Sequence, residues 1–196
     1  MNNSDKMREF FDRAAPGWNN LPAEAAIRDA LAEKMAIPEG SVIADIGCGQ
    51  GVFFPHLLKA GPKAIIGVDL SGEMLRYARE KYPDGRIRLI QGDILEAALP
   101  RLDAAVLYNC YPHLLDKAAL ARRLAELVRP GGIAVIAHGA GKAVINAHHR
   151  EGLPFTLSVP LEEPETEAEK FAPWFRADRM EDEEGWYLLR MVRTES

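Results

Sequence analysis

The chain has 196 residues, with 24 Lys and Arg against 29 Asp and Glu and a formal charge of −5 at pH 7. At 47% hydrophobic and 27% charged residues it can close a core unaided, which excludes a mostly disordered chain. The acidic balance argues against an extended phosphate-binding face, so nucleic acid is not an expected partner.

Cys48 and Cys110 lie far apart and outside any Cys-x-x-Cys pair, so neither a disulfide framework nor a zinc site is expected and a reducing, cytoplasmic setting is. No run approaches membrane-spanning length, and the opening Met1-Asn2-Asn3-Ser4-Asp5 lacks a basic region followed by an apolar stretch. Neither export nor membrane insertion is expected.

In chain order, Pro22 is expected to open a helix with Ile27, Leu31 and Met35 on one face. From residue 42 the pattern alternates. Near-continuous apolar runs at 42–46, 63–68, 86–91, 102–107 and 133–137 suit strands covered on both faces, as in a parallel sheet. The segments between them read as helices. Residues 51–60 form the first, stopped by Gly61-Pro62. Ser71 is placed to cap the second, with Glu73 in its positive first turn and Met74, Leu75 and Ala78 on its buried stripe. Asp116 caps a third, whose apolar face is Leu120, Leu124, Leu127 and Val128, with Arg129-Pro130-Gly131-Gly132 as its stop. Strand–helix–strand units with short connections predict an open, doubly wound α/β sheet.

After the fifth strand the alternation loosens. A short helix is expected at 142–150, loop over 152–166 and one or two helical turns at 167–172 stopped by Pro173. An antiparallel hairpin of 174–180 with 186–192 closes the sequence. The acidic run 162–169 reads as a solvated face. The whole is expected to be a single domain over 1–196: a helical cap (1–40), a cofactor-binding core (41–137), a substrate-side insertion (138–172) and the hairpin (173–196).

The most informative stretch is Asp45-Ile46-Gly47-Cys48-Gly49-Gln50-Gly51, directly after a strand and before a helix. Glycines there let the backbone turn tightly and approach a ligand closely. The spacing is G-x-G-x-G, and Val52 stands where a dinucleotide fingerprint has its third glycine. Asp69 ends the second strand 24 positions after Asp45, and Asp93 follows the third another 24 positions on. At those strand ends one carboxylate can accept from ribose hydroxyls and the other from an adenine amino group. Cys48 is read as a small filler between glycines, since no base neighbours it in sequence.

This order of motifs resembles the class I S-adenosylmethionine-dependent methyltransferases. The resemblance runs through residues 42–51, Gly67-Val68-Asp69-Leu70-Ser71, Gly92-Asp93 and Val128-Arg129-Pro130-Gly131-Gly132, and Phe10-Phe11-Asp12-Arg13-Ala14-Ala15-Pro16-Gly17-Trp18 looks like the opening of the small-molecule type. It implies a Rossmann-like α/β/α sandwich with an antiparallel C-terminal strand, matching 186–192. It also implies S-adenosylmethionine as cofactor, S-adenosylhomocysteine as product and a small-molecule acceptor. The implied cofactor residues are Asp45, Gly47, Cys48, Gly49 and Gly51 in the loop, Asp69 and Leu70 at the ribose and adenine, then Gly92, Asp93, Ile94 and Asn109.

On the acceptor side, the methyl donor carries its own leaving group, so alignment and, for a hydroxyl or thiol, a general base are needed. The fourth strand ends in Tyr108-Asn109-Cys110-Tyr111-Pro112-His113, without the Asn-Pro-Pro-Tyr signature of methyltransferases acting on amide or exocyclic amino nitrogens. His113 is the first candidate base and His149 the second. Tyr111, Asn146 and Trp18 are candidate acceptor contacts, with Trp18 serving equally well as a packing residue. His138, His148 and His149 cluster in sequence but lack a carboxylate at ligand spacing, so no metal is expected. Two other readings stay open. A nicotinamide-dependent oxidoreductase shares this kind of sheet, with Val52 and Asp93 counting against it. A non-catalytic module that binds the cofactor would share every cofactor motif.

Overall fold

The computed structural model describes residues 3–18, 25–152 and 157–195. Seven strands, β1 (Val42–Ile46), β2 (Ala64–Asp69), β3 (Ile87–Gln91), β4 (Leu102–Tyr108), β5 (Val128–His138), β6 (Phe175–Asp182) and β7 (Tyr187–Arg193), form one sheet in the order β3-β2-β1-β4-β5-β7-β6. The first five are parallel, and β7 runs antiparallel between β5 and β6. The C-terminal strand therefore inserts into the sheet as the resemblance implies. Strand order reverses between β1 and β4, the position where such sheets open a crevice at their carboxyl ends.

Successive side chains on a strand face opposite ways, and here both faces are apolar. Ala44, Ile46, Ala105, Leu107 and Ile136 join one cluster with Leu120 and Leu124 of α5 (Lys117–Leu127). Ile43, Val106 and Val135 join the other with residues of three further helices. These are Leu31 and Met35 of α2 (Ala25–Met35), Leu57 of α3 (Phe54–Leu58), and Leu75 and Ala78 of α4 (Gly72–Lys81). Helices thus cover both faces, an α/β/α sandwich.

The expected caps form. The Ser71 hydroxyl accepts the Met74 N–H (3.0 Å), and Asp116 accepts the Ala119 N–H (2.8 Å). Several boundaries differ. The first crossover helix is only Phe54–Leu58, because Gly51 holds φ +77°, outside helical space, and the chain completes a turn before Pro55 can open the helix. The predicted stop at 129–132 lies inside β5. It bulges between the pairs Leu102–Val128 and Ala104–Ile133, and bulges accommodate proline and glycine. The turns expected at 167–172 begin earlier, as α7 (Pro164–Glu169), with Pro164 in the first turn. The extra helix is present as α6 (Lys142–Gly152). Pro22 and residues 153–156 of the expected loop lie outside the described residues. An N-terminal helix, α1 (Asn3–Ala14), and a 3-10 turn (Ala15–Gly17) lie ahead of α2.

Among the described residues, no helix is long and apolar enough to cross a membrane.

Candidate cofactor and acceptor site

A cavity of about 450 Å³ lies at the carboxyl ends of β1, β2 and β4 and the loop after β3. Its floor is the glycine loop. Gly47 and Cys48 both donate their N–H groups to the Val68 carbonyl (2.7 and 3.2 Å), so the loop folds back over the end of β2. Gly47 sits at φ +65°, and a Cβ there would lie 2.6 Å from the Cys110 Cβ, so only glycine fits. Gly49, at φ +52°, would meet nothing within 4 Å and leaves its backbone open to the cavity. Gly51 packs against Phe54 and is not part of the lining.

Three carboxylates, at the ends of β1 and β2 and after β3, line the cavity around this floor. Asp45 is almost fully buried and its Oδ2 has no partner among the described residues. Burial, and then the neighbouring Asp69 charge, push its pKa up to about 8. Asp69 accepts the Gly49 N–H at Oδ2 and the Ser71 N–H at Oδ1, each at 2.8 Å. Desolvation nonetheless outweighs those two bonds and raises its pKa to about 6. Asp93 accepts the Leu95 N–H at Oδ1 (3.0 Å) and the Ser4 hydroxyl at Oδ2 (2.9 Å).

The N-terminal segment closes the cavity from outside through Asn3, Ser4, Met7, Phe11 and Trp18. Beside the Ser4–Asp93 bond, further hydrogen bonds hold it down. Asp12 Oδ1 accepts the Ser71 hydroxyl (2.6 Å), and the Gln50 side-chain amide donates to the Ala15 carbonyl (2.8 Å). Sequence reasoning assigned residues 1–40 to a helical cap and missed Ser4, Met7 and Gln50. The available signal was the single buried Met7, one turn before Phe10 and Phe11 on a helix of otherwise polar composition.

Of the predicted site residues, Asp45, Gly47, Cys48, Gly49, Asp69, Leu70, Gly92, Asp93, Ile94, Asn109, His113 and Trp18 line this one cavity. Asn109 closes β4 at φ +54°, a conformation asparagine tolerates, and its Oδ1 accepts the Gly139 N–H (3.0 Å). Both cysteines are buried. Desolvation pushes each thiol pKa well above its ordinary value, and the Cys110 thiol donates to the Ile46 carbonyl (2.9 Å).

Three acceptor-side expectations need correction. Tyr111 lies in the 3-10 turn Tyr111–His113, where residues two apart face different ways; its buried hydroxyl donates to Glu167 (2.5 Å), away from the cavity. That same contact buries Glu167 completely, so the acidic run is not uniformly solvated. Asn146 spends its amide on the backbone of Leu161, donating to the carbonyl and accepting the N–H, both at 2.8 Å. His149 stands behind His113, with ring centroids 5.0 Å apart, and does not line the cavity.

His113 is the one histidine that reaches the lining. Its Nδ1 lies 2.8 Å from the Leu157 carbonyl, which can only accept, so Nδ1 carries the proton and Nε2 the lone pair. Desolvation lowers its pKa to about 4, so the ring is neutral near pH 7. Among the described residues, no three His, Cys, Asp or Glu side chains group to hold a metal.

A methyltransferase-domain family model matches residues 43–132. The malonyl-[acyl-carrier protein] O-methyltransferase of Pectobacterium atrosepticum is 33% identical over 141 residues, 69% of this chain and 53% of that protein. The trans-aconitate 2-methyltransferase of an Azoarcus species is 35% identical over 114 residues, 57% of this chain and 44% of that one. The chain spans about half the length of the curated relatives it matches. In three dimensions, the N-methyltransferase NodS of Bradyrhizobium japonicum in complex with S-adenosylhomocysteine superposes with a TM-score of 0.73 over 100% of both chains, at 18% identity. DhpI in its complex with the same nucleoside gives 0.78 over 98% of both, at 15% identity. The family match runs from β1 to the bulge in β5 and so spans every strand end that carries a cavity carboxylate; over residues 43–132 the chain is similar to methyltransferase domains.

Proposed function

We propose that this chain binds S-adenosylmethionine in the cavity and transfers its methyl group to a small acceptor. One observation carries the reading. Asp45, Asp69 and Asp93, from three successive strand ends, line a single cavity, and Asp45 carries a buried oxygen with no partner among the described residues. An unpaired buried carboxylate oxygen is costly unless a ligand cation meets it, and the amino group of S-adenosylmethionine is such a cation. Gly49 leaves room for the methionine portion, Asp69 keeps a lone pair on each oxygen for ribose hydroxyls, and Asp93 lies where Ser4 and the adenine amino group compete for one oxygen.

Bound there, the sulfonium supplies an electrophilic methyl group with its leaving group attached. The chain's remaining tasks are to align the acceptor, exclude water and place the acceptor's proton. The N-terminal helix excludes water, and His113 Nε2 offers the lone pair for the proton, its ring held in that tautomer by the Leu157 carbonyl.

Isothermal titration with S-adenosylhomocysteine tests the reading. Micromolar binding is expected, with Asp69→Ala weakening it at least about tenfold. No heat at millimolar nucleoside, or an unchanged Asp69→Ala isotherm, rejects the assignment.

A further inference from the structure

Once the glycine loop and the carboxylates facing the nucleoside are set aside, the lining keeps polar groups at Asn3, Ser4, Asn109, Cys110 and Asp116 and, beside them, an aromatic and aliphatic surface of Phe11, Trp18, Tyr108, His113, Leu114 and Leu115. Phe11 stands edge-on to both Trp18 (5.6 Å, 71°) and His113 (5.3 Å, 82°), forming a continuous aromatic wall. The charged residues of the lining are all acids: Asp45, Asp69, Asp93 and Asp116. Three cations, Lys117, Arg122 and Arg123, lie on α5 behind it; none is in the lining, and two are engaged elsewhere. Lys117 donates to the Tyr111 carbonyl and sits 3.5 Å from that ring's centroid, while Arg123 donates to the Ile94 and Ala97 carbonyls (3.2 and 2.7 Å). Residues 19–24 and 153–156 contain no Lys or Arg in their sequence.

From this lining, and resting on the methyl-transfer reading, we infer that the acceptor is an uncharged, flat molecule, and that carboxylates and phosphates are refused. An anion entering this space would lose its hydration and, among the described residues of the lining, find no guanidinium or ammonium to replace it. The sulfonium and ammonium of S-adenosylmethionine, less its own carboxylate, set one net positive charge against four lining acids and leave no surplus positive potential to hold a second anion. A cation is disfavoured by the sulfonium itself, and a protonated amine has no lone pair to present. A planar neutral body can pack its faces and edges on Phe11, Trp18 and His113, at little loss of hydration. The two relatives described above are named for acidic acceptors, trans-aconitate and a malonyl thioester; this cavity is built for a different class.

The test uses the full chain saturated with S-adenosylhomocysteine, titrated with phenol, catechol, naphthol and indole, each paired with its own monocarboxylate. The uncharged member of at least one pair is expected to bind at least about tenfold more tightly than its carboxylate. Leu115→Lys, which adds a cation to the lining, should narrow or reverse that ratio while the nucleoside still binds. Carboxylates binding as tightly as their partners, or no uncharged probe binding at millimolar concentration, overturns the inference. The preliminary nucleoside titration separates the two claims. If S-adenosylhomocysteine itself fails to bind, the methyl-transfer reading falls; if it binds and the charge preference is absent, only the acceptor class falls.

Discussion

The unpartnered Oδ2 of Asp45 links proton uptake to ligand binding. Its folded pKa of about 8 stands above the ordinary 3.8, so the ligand-free protein retains this proton through neutrality. The sign follows: a raised acid destabilises the fold progressively as pH climbs from about 4 to about 8. A cationic amino group against Oδ2 reverses the preference, because the ionised carboxylate then gains a charge-assisted hydrogen bond. Binding of S-adenosylhomocysteine near neutral pH is therefore expected to release up to about one proton, read as a dependence of binding enthalpy on the buffer's ionisation enthalpy. Asp45→Asn should remove that dependence, weaken binding at least about tenfold, and raise the ligand-free Tm more at high pH than at low. Identical wild-type enthalpies in every buffer would contradict the linkage. The glycines of the same loop separate packing from ligand access. Gly47→Ala forces a Cβ into Cys110 and is expected to lower the Tm, whereas Gly49→Ala meets open space and costs only the strain of its positive φ, about 1 kcal/mol. Its larger effect should be on nucleoside affinity. Equal losses of Tm in the two variants would show that the loop does not divide these roles.

At the scale of elements, α1 is coupled to the amino end of α4 through Asp12 and Ser71. The Ser71 hydroxyl donates to Asp12 while accepting the Met74 N–H, and Asp12 also accepts the Glu73 N–H (3.3 Å), so a carboxylate sits at the positive end of the helix that follows Asp69. Asp12→Ala leaves the Ser71–Met74 cap in place and removes the tether together with the long Glu73 N–H contact. A Tm loss of roughly 2–4 °C is expected, for about 1 kcal/mol, together with faster release of S-adenosylhomocysteine in stopped flow. Ser71→Ala removes cap and tether together and should cost about 2 kcal/mol, roughly 4–8 °C. A dissociation rate indifferent to Asp12→Ala would mean that α1 does not govern escape from the cavity. These tethers mark where sequence reading stops. Ser71 and Asp116 were legible as caps because the partner N–H lies three residues away. Asp45, Asp69 and Asp93 were legible because strand and crossover lengths recur. The Ser4–Asp93 and Gln50–Ala15 bonds join residues 89 and 35 positions apart, and no local period encodes such a pairing. Tyr111 and His113 failed to share a face for a related reason, since a 3-10 turn sends them apart where a strand would have aligned them. Glu167 read as surface because a single buried acid inside an acidic run is invisible until Tyr111 is brought against it.

For the molecule as a whole, two sets of buried groups oppose each other as pH falls. His138, within β5, is almost fully buried with no partner for Nε2 among the described residues, and desolvation lowers its pKa to about 3; that of His113 falls to about 4. Both depart downward from 6.5, so the stability they hold above about pH 6.5 drains away as pH drops toward 4, while the unfolded chain takes up the protons. Asp45 and Asp69, raised to about 8 and 6, act the other way and are relieved by acid. Above about pH 6.5 the Asp45 cost is still growing, until buried Lys117, its pKa lowered to about 7 by desolvation, sheds its proton and offsets that cost, so the ligand-free Tm should peak on the acid side of neutrality and flatten above it. Saturating nucleoside ionises Asp45 and should move the peak upward. The acid limb can be assigned to a single residue. His138→Phe keeps a ring beside Tyr187, now 6.0 Å away between centroids, and removes the titrating nitrogen. It is expected to raise the Tm near pH 4.5 by roughly 4–8 °C, about 2 kcal/mol, relative to its effect near pH 7.5. A shift of equal size at both pH values would assign the change to packing and remove His138 from the acid response.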